Sequence, residues 1–396
     1  MMSSEDLPIR LEDYHISRRT GFLIDQPLRE LPMQYAVWDE VAKQAAELVR
    51  CKTLRQVVDQ MPLLDHRGLM GYREKRLAHL QLSVIASCYI WQEGDAGVPQ
   101  SLPACISIPW WEVSRQLGLQ PSVNHATFVL ANWRVVEHDR LMSLDNLDWL
   151  YPLPGGESSK WFCLITVHIE KDFVPALTYI EKGLRSMRSG DKQSLTDCLH
   201  GIQRVICDIK STFSKMHERV DPQDFYDRLR PFLSGWGGAG SPLPRGLVYA
   251  GVSEKPHQVT GGSAAQSSIF QTLDAFLGVK HTGSERKFLF DMRSYMPPDH
   301  RKFIDMIENG PSLREYVLKS NCADLKTAFE KCLGTLIDFR SYHLTIVAKY
   351  VVSMSHRMGR NQVYASVSKQ GTGGSSVVPF LKSVRSTTQD AQLYDD

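Results

Sequence analysis

The sequence predicts an all-α protein. Three observations carry that prediction. Apolar residues recur at helical spacing over 191–218, through Leu195, Cys198, Leu199, Ile202, Val205, Ile206, Ile209, Phe213 and Met216. They do so again from about Cys322 to Val352, through Leu325, Phe329, Leu333, Leu336, Phe339, Ile346 and Tyr350. No segment sustains the period-2 alternation of a half-buried strand.

The elements follow in order. Residues 34–50 and 74–92 read as helices, with Leu77, Leu80, Val84 and Ile85 on the buried side of the second. Pro103 and Pro109 interrupt the pattern. Short helices resume at Trp110–Val113 and at Ala126–Val136. The densest cluster of breakers in the first half lies around 150–158. It divides the chain into a small N-terminal domain, 1–153, and a larger helical domain, 154–396. The second part opens with a helix over 159–188, bent near Pro175, and continues with the helix over 191–218. Asp221-Pro222 starts another, with Asp as cap and Pro in the first turn. Gly235 to Ser241 is a glycine-rich break. Gly261-Gly262 turns into the next helix, where Ser263 and Gln266 have capping-box spacing. Pro297-Pro298 and Pro311 precede the long helix over 322–352. Residues 353–376 are polar and Ser/Gly-rich and predict a mobile surface loop. A last helix, 377–387, is expected to bury Val378, Phe380, Leu381 and Val384.

Composition narrows the function classes. The chain has 396 residues and a formal net charge of +2, from 46 basic and 44 acidic side chains. That balance offers no electrostatic case for nucleic acid or an anionic membrane. The longest apolar run, about Leu82 to Trp91, is too short to span a bilayer. The N-terminus has neither the basic nor the apolar region of a signal peptide. None of the eight cysteines forms Cys-x-x-Cys or pairs with histidine at zinc spacing. A reducing, cytoplasmic setting is expected. Gly-x-Ser-x-Gly, His-Glu-x-x-His and the dinucleotide glycine fingerprint are all absent.

Several residues have chemical potential, and each has a plain structural reading. His343 sits on the apolar stripe of the long helix. Such a histidine is most often a satisfied core residue, but a neutral imidazole there can also hold a metal. Arg230 lies among Phe225, Tyr226, Phe232 and Leu233. An arginine whose stem covers apolar surface explains it, and so does a carboxylate clamp in a dry pocket. Gly261-Gly262-Ser263 lacks the strand and Lys-Ser/Thr of a phosphate loop, and reads as a turn in which backbone can approach a flat ligand. Leu247-Val248-Tyr249-Ala250-Gly251-Val252 has the spacing of a phosphotyrosine signal, a pattern that arises often by chance.

Arg340-Ser341-Tyr342-His343 followed by an aliphatic run resembles the proximal haem helix of indoleamine 2,3-dioxygenases. Tyr14-His15-Ile16, Arg76-Leu77-Ala78-His79-Leu80, Leu130-Ala131-Asn132-Trp133, Tyr295-Met296-Pro297-Pro298 and Val384-Arg385-Ser386-Thr387-Thr388 extend the likeness over nearly the whole chain. The resemblance implies a helical protein whose larger domain holds haem b, with His343 as the axial iron ligand. It implies that Gly262, Ser263 and Ala264 lie over the distal face, and that Asp274 and Arg340 pair near the proximal face. Arg230 would bind the amino-acid carboxylate and Phe225 would pack on the indole. Phe162, Thr166, His125 and Phe128 would line the distal pocket, and Thr372 of Gly371-Thr372-Gly373-Gly374 would close over the substrate. The activity implied is cleavage of the indole 2,3-bond of L-tryptophan with O2, giving N-formylkynurenine.

Within the family, His125, Thr166, Gly261-Gly262-Ser263-Ala264-Ala265-Gln266 and Trp91-Gln92-Glu93-Gly94 are similar to type 2 forms, which implies weak substrate affinity. Phe128 departs from the family pattern and adds bulk to the pocket. The resemblance further implies a cellular reductant for the iron, a monomer, and no nucleic-acid or membrane partner. No acid–base residue is assigned. Two alternatives stay open: a haem-binding immunoregulatory or signalling scaffold with little turnover, and a peroxidase-like enzyme using His125 and Arg230.

Overall fold

The computed structural model describes residues 9–238, 240–357, 363–364, 372 and 376–393. The all-α expectation holds: short strands form only two two-residue pairs among these residues. In the first part of the chain, α1 spans Ala36–Arg50, α2 Leu54–Asp59, α3 Gly71–Trp91, α4 Ala104–Leu117 and α5 His125–Phe128. Strand β1 is Ser101–Leu102, β2 Arg134–Val135 and β3 Leu147–Asp148; β2 pairs antiparallel with β3. Then come α6 Gly156–Asp172, α7 Val174–Ser189, α8 Lys192–Ser214, α9 Met216–Arg219, α10 Pro222–Asp224 and α11 Arg230–Leu233. Strand β4, Val248–Tyr249, pairs parallel with β1 and ties the two parts together. The rest is α12 Ser268–Leu277, α13 Gly283–Arg293, α14 Pro298–Glu308, α15 Leu313–Lys319, α16 Ala323–Val347, α17 Ser353–Arg357 and α18 Val377–Gln389.

Helix α3 is buried on every side from Arg76 to Trp91. It packs on α1 and α4, which explains its apolar surface all round. The second part is built on α8, whose apolar stripe packs against α7 and α16. Helix α18 lies across α16 and is latched to it: Arg340 donates to the Val384 carbonyl at 3.3 Å and to the Thr388 hydroxyl.

The structure departs from the sequence reading in places. Pro109 lies inside α4 instead of breaking it. Its missing N–H removes one helical hydrogen bond, while Ile106, Trp110 and Val113 are buried around it and hold the helix. The helix expected over Ala126–Val136 is limited to His125–Phe128, capped by the Asn124 side chain, and β2 follows. The helix expected over 159–188 is two helices that meet at Phe173, because Pro175 belongs to the first turn of α7. The capping box of Ser263 and Gln266 is present, but on a 3-10 turn, Ala264–Gln266; Ser267 then caps α12. In α18 only Val384, of the four residues named above, is buried. Phe380 and Leu381 are half-exposed because they face a cavity. Most of 353–376, including Gly371, Gly373 and Gly374, lies outside the described residues.

Candidate functional site

Two adjoining cavities, of about 240 and 180 Å³, are both lined by His343. Both are mainly apolar, and they share His125, Phe162, Thr166, Phe213, Ala264 and His343 among their walls. One also holds Phe128, Phe225, Arg230, Gly262, Ser263 and Thr372. The other holds Asp274 and Arg340. Every site residue expected from the sequence therefore lines one or both cavities.

His343 projects from α16, and its ring packs edge-on against Phe213 of α8 with centroids 5.6 Å apart. Burial pulls its pKa down to about 4, with the nearby Arg340 charge adding to the effect, so the ring is neutral at pH 7. No described residue hydrogen-bonds to its nitrogens. A half-buried, neutral imidazole with no described partner, between apolar walls, has the chemistry of a single axial haem ligand. Ala264 and Ala265 add small side chains to the walls of both cavities. No group of three or more His, Cys, Asp or Glu that could chelate a bare ion exists among the described residues. These residues fit haem.

Helix α16 is fixed beside the cavity by a buried ion pair. Both oxygens of Asp274, on α12, accept from Arg340 Nη2 at 2.7 Å. Burial pushes the Asp274 carboxyl up, but Arg340 and His281 outweigh it and hold it below the usual range. His281 Nε2 lies 2.9 Å from Asp274, and its Nδ1 lies 2.7 Å from Thr387 Oγ1 on α18. Three helices thus meet at one carboxylate.

Arg230 begins α11, directly after a π-helical turn over Phe225–Leu229. A second π-helical turn, Ala348–Val352, follows the His343 helix and holds Tyr350. Such turns rotate side chains out of the regular helical register, and they are common at functional sites. Arg230 is 3% exposed, and its guanidinium lies 4.8 Å above the Tyr226 ring. Burial lowers its pKa, and the Tyr226 hydroxyl partly offsets that. Phe162 and Phe225 meet at 4.9 Å, and Tyr350 is edge-on to Phe225 at 6.0 Å.

The Gly261–Ser263 wall follows from backbone crowding. A Cβ at Gly261 would sit 2.1 Å from the Leu233 carbonyl, so no other residue fits. Gly262 N–H donates to that carbonyl at 2.8 Å, and the Gly262 carbonyl accepts from Thr372 Oγ1. Gln266 Oε1 accepts the backbone N–H of His125 at 3.0 Å, which joins this wall to α5.

Sequence reasoning missed Phe213, Phe270, Phe380 and Glu170 as wall residues. Phe213 was visible only as one position of a stripe. Glu170 carries no motif, although it lies four residues after Thr166 and so on the same helical face.

Residues 10–391 match the family described as indoleamine 2,3-dioxygenase. The chain belongs to that family. It is 41% identical to indoleamine 2,3-dioxygenase 2 of Homo sapiens, over 98% of this chain and 97% of the relative. It is 40% identical to indoleamine 2,3-dioxygenase 1 of Rattus norvegicus, over 97% and 96%. It is also 39% identical to a protein named myoglobin from Haliotis madaka, over 97% and 99%. By family this indoleamine 2,3-dioxygenase homologue is an oxidoreductase of the haem-dependent dioxygenase class. Near-equal identity to types 1 and 2 leaves any type 2 character to the pocket residues. No helix among the described residues is long and apolar enough to cross a membrane.

Proposed function

We propose that this chain cleaves the indole 2,3-bond of L-tryptophan with O2 to give N-formylkynurenine, using haem b bound at His343. The observation that supports it best is one cavity containing both a neutral, uncommitted imidazole and a buried guanidinium. His343 would hold the iron, Gly262 and Ala264 would lie against the haem, and the Asp274–Arg340 pair would hold α16 in place. Haem, when bound, supplies the ferrous iron that takes up O2.

The protein's own contribution is binding and orientation. Arg230, out of water, offers two parallel N–H donors to a carboxylate. Phe162 and Phe225 present flat apolar faces to an indole. Thr372, bonded to the Gly262 carbonyl, would close the cavity against solvent. Phe128 and His125 narrow it, which accords with weak tryptophan affinity. The small domain, 1–153, would cover the cavity and the larger one, 154–396, would hold the haem. A cellular reductant would keep the iron ferrous, in a cytoplasmic monomer.

A second reading is a haem scaffold with little turnover, and the Haliotis relative's name favours it. One experiment separates the two. The haem-loaded chain, given reductant, O2 and a tryptophan series, should form N-formylkynurenine with saturation. A loaded chain that stays inactive at high tryptophan sinks the dioxygenase reading.

A further inference from the structure

Glu170 is a buried acid to which the reading above gives no role. It projects from α6 and is 1% exposed. Its Oε1 accepts from Ser267 Oγ at 2.7 Å and lies 2.7 Å from His125 Nε2. Its Oε2 is buried without a hydrogen-bond partner among the described residues. A carboxylate held away from water needs compensating charge or donors. Here it has one hydroxyl and one imidazole.

His125 is held at two points. Its backbone N–H goes to Gln266 and its Nε2 to Glu170, while the ring lines both cavities. A carboxylate accepts, so Nε2 is the nitrogen that donates. The other nitrogen, Nδ1, has no partner among the described residues and in that tautomer is an acceptor. The cavity walls thus combine a guanidinium, Arg230, with an imidazole acceptor backed by a carboxylate.

We propose that Glu170 is a positioning residue that holds His125 by Nε2, so that Nδ1 accepts a hydrogen bond from a ligand ammonium whose charge offsets the buried carboxylate. This rests on the amino-acid reading of the cavity. An α-amino acid carries both the carboxylate that Arg230 would take and the ammonium that the His125–Glu170 couple would take.

The test compares L-tryptophan with indole-3-propionate, which keeps the indole and the carboxylate but lacks the amine. Binding of each to the haem-loaded full chain is measured by calorimetry, so turnover is not needed. Glu170→Gln is expected to weaken tryptophan about tenfold, the scale of one charged hydrogen bond, and to leave indole-3-propionate within about twofold. Glu170→Asp, which keeps the charge, should recover part of the loss. The double variant His125→Phe, Glu170→Gln removes the couple without stranding a charge, and should weaken tryptophan at least as much as Glu170→Gln alone. It also serves if the single variant does not fold. Equal effects on both ligands, or none, overturn the proposal and leave the Arg230 reading standing. Failure of the wild type to bind either ligand overturns the amino-acid reading and this proposal with it.

Discussion

Two neutral histidines, one on each of the longest helices of the two parts, show what separates a core residue from a site residue. His79 lies on α3 and His343 on α16. Burial lowers the pKa of both, to about 3 and about 4 respectively. His79 is satisfied: its Nδ1 meets Thr127 Oγ1 at 3.1 Å and Ser83 Oγ at 3.4 Å, and its Nε2 meets the Gln120 carbonyl at 3.3 Å. His343 has no such partner among the described residues and lines both cavities. Both rings are neutral, and the difference lies in their surroundings: His79 is 1% exposed with partners on both nitrogens, whereas His343 is only half-buried and lines cavity space. An imidazole without a described protein partner on an apolar cavity wall is placed to bind a ligand there.

The largest expected effect splits the two residues cleanly. His343→Ala should abolish stable haem loading, read as loss of the Soret band, with little change in the melting of the haem-free chain. His79→Ala should do the reverse. It removes one hydrogen-bond partner from each of Thr127 and Ser83, leaves the Gln120 carbonyl without its imidazole and opens a cavity, at a cost of about 2–4 kcal/mol, while haem content per folded chain is unchanged. A normal Soret band in His343→Ala removes the axial-ligand assignment.

Arg230→Ala comes next. Haem should load normally, and the tryptophan needed for half-maximal rate should rise roughly 10- to 100-fold, the scale of lost charged hydrogen bonds. Unchanged saturation kinetics would take Arg230 out of the clamp.

Acid should act on the sealed histidines before it reaches the rest of the core. His79 and His300 are both pulled down to about 3, chiefly by burial. Between the ordinary histidine range near 6.5 and pH 3, the unfolded chain binds protons that the folded chain refuses. Stability therefore falls as pH drops through that window, by up to about 1.4 kcal/mol per pH unit for each histidine. Denaturant melts from pH 7 to pH 4 measure the slope, and His79→Gln should flatten it. An unchanged slope would show that His79 is not sealed.

The smallest effect concerns the packing that aims His343. Phe213→Leu removes the edge-on ring contact, worth about 0.5–1.5 kcal/mol, so haem should leave about 2- to 10-fold faster. Transfer of haem to an apo-globin acceptor reads that rate directly.

The helices were legible where one face alone is buried. The stripes of α8 and α16 gave their positions because a 3.6-residue period has no other use. Boundaries were lost where packing outranks local preference. Pro109 sits inside α4 because its neighbours are buried, and Phe173 parts α6 from α7 where one long helix was expected. In the site, the residues tied to a written motif were found. Glu170 was not, because a lone glutamate between Ile169 and Lys171 reads as a solvated charge. Only the approach of Ser267 and His125 makes it otherwise.

Tyr249 teaches the same lesson in reverse. Its spacing suggests a signalling tyrosine, yet its hydroxyl is buried and donates to the Pro121 carbonyl at 3.0 Å.

By itself, the sequence determined the helical class, the apolar faces and the residue types able to bind a metal or a carboxylate. Period and side-chain chemistry are local properties, and they survive in one dimension. The tertiary structure decided which of those residues share a wall. It brought α5, α6, α11, the Gly261–Ser263 turn, α16 and Thr372 around one space, and it put His343 on a cavity wall while surrounding His79 with partners. Whether a histidine meets partners or a cavity depends on the groups that the fold brings near, and no spacing along the chain encodes it.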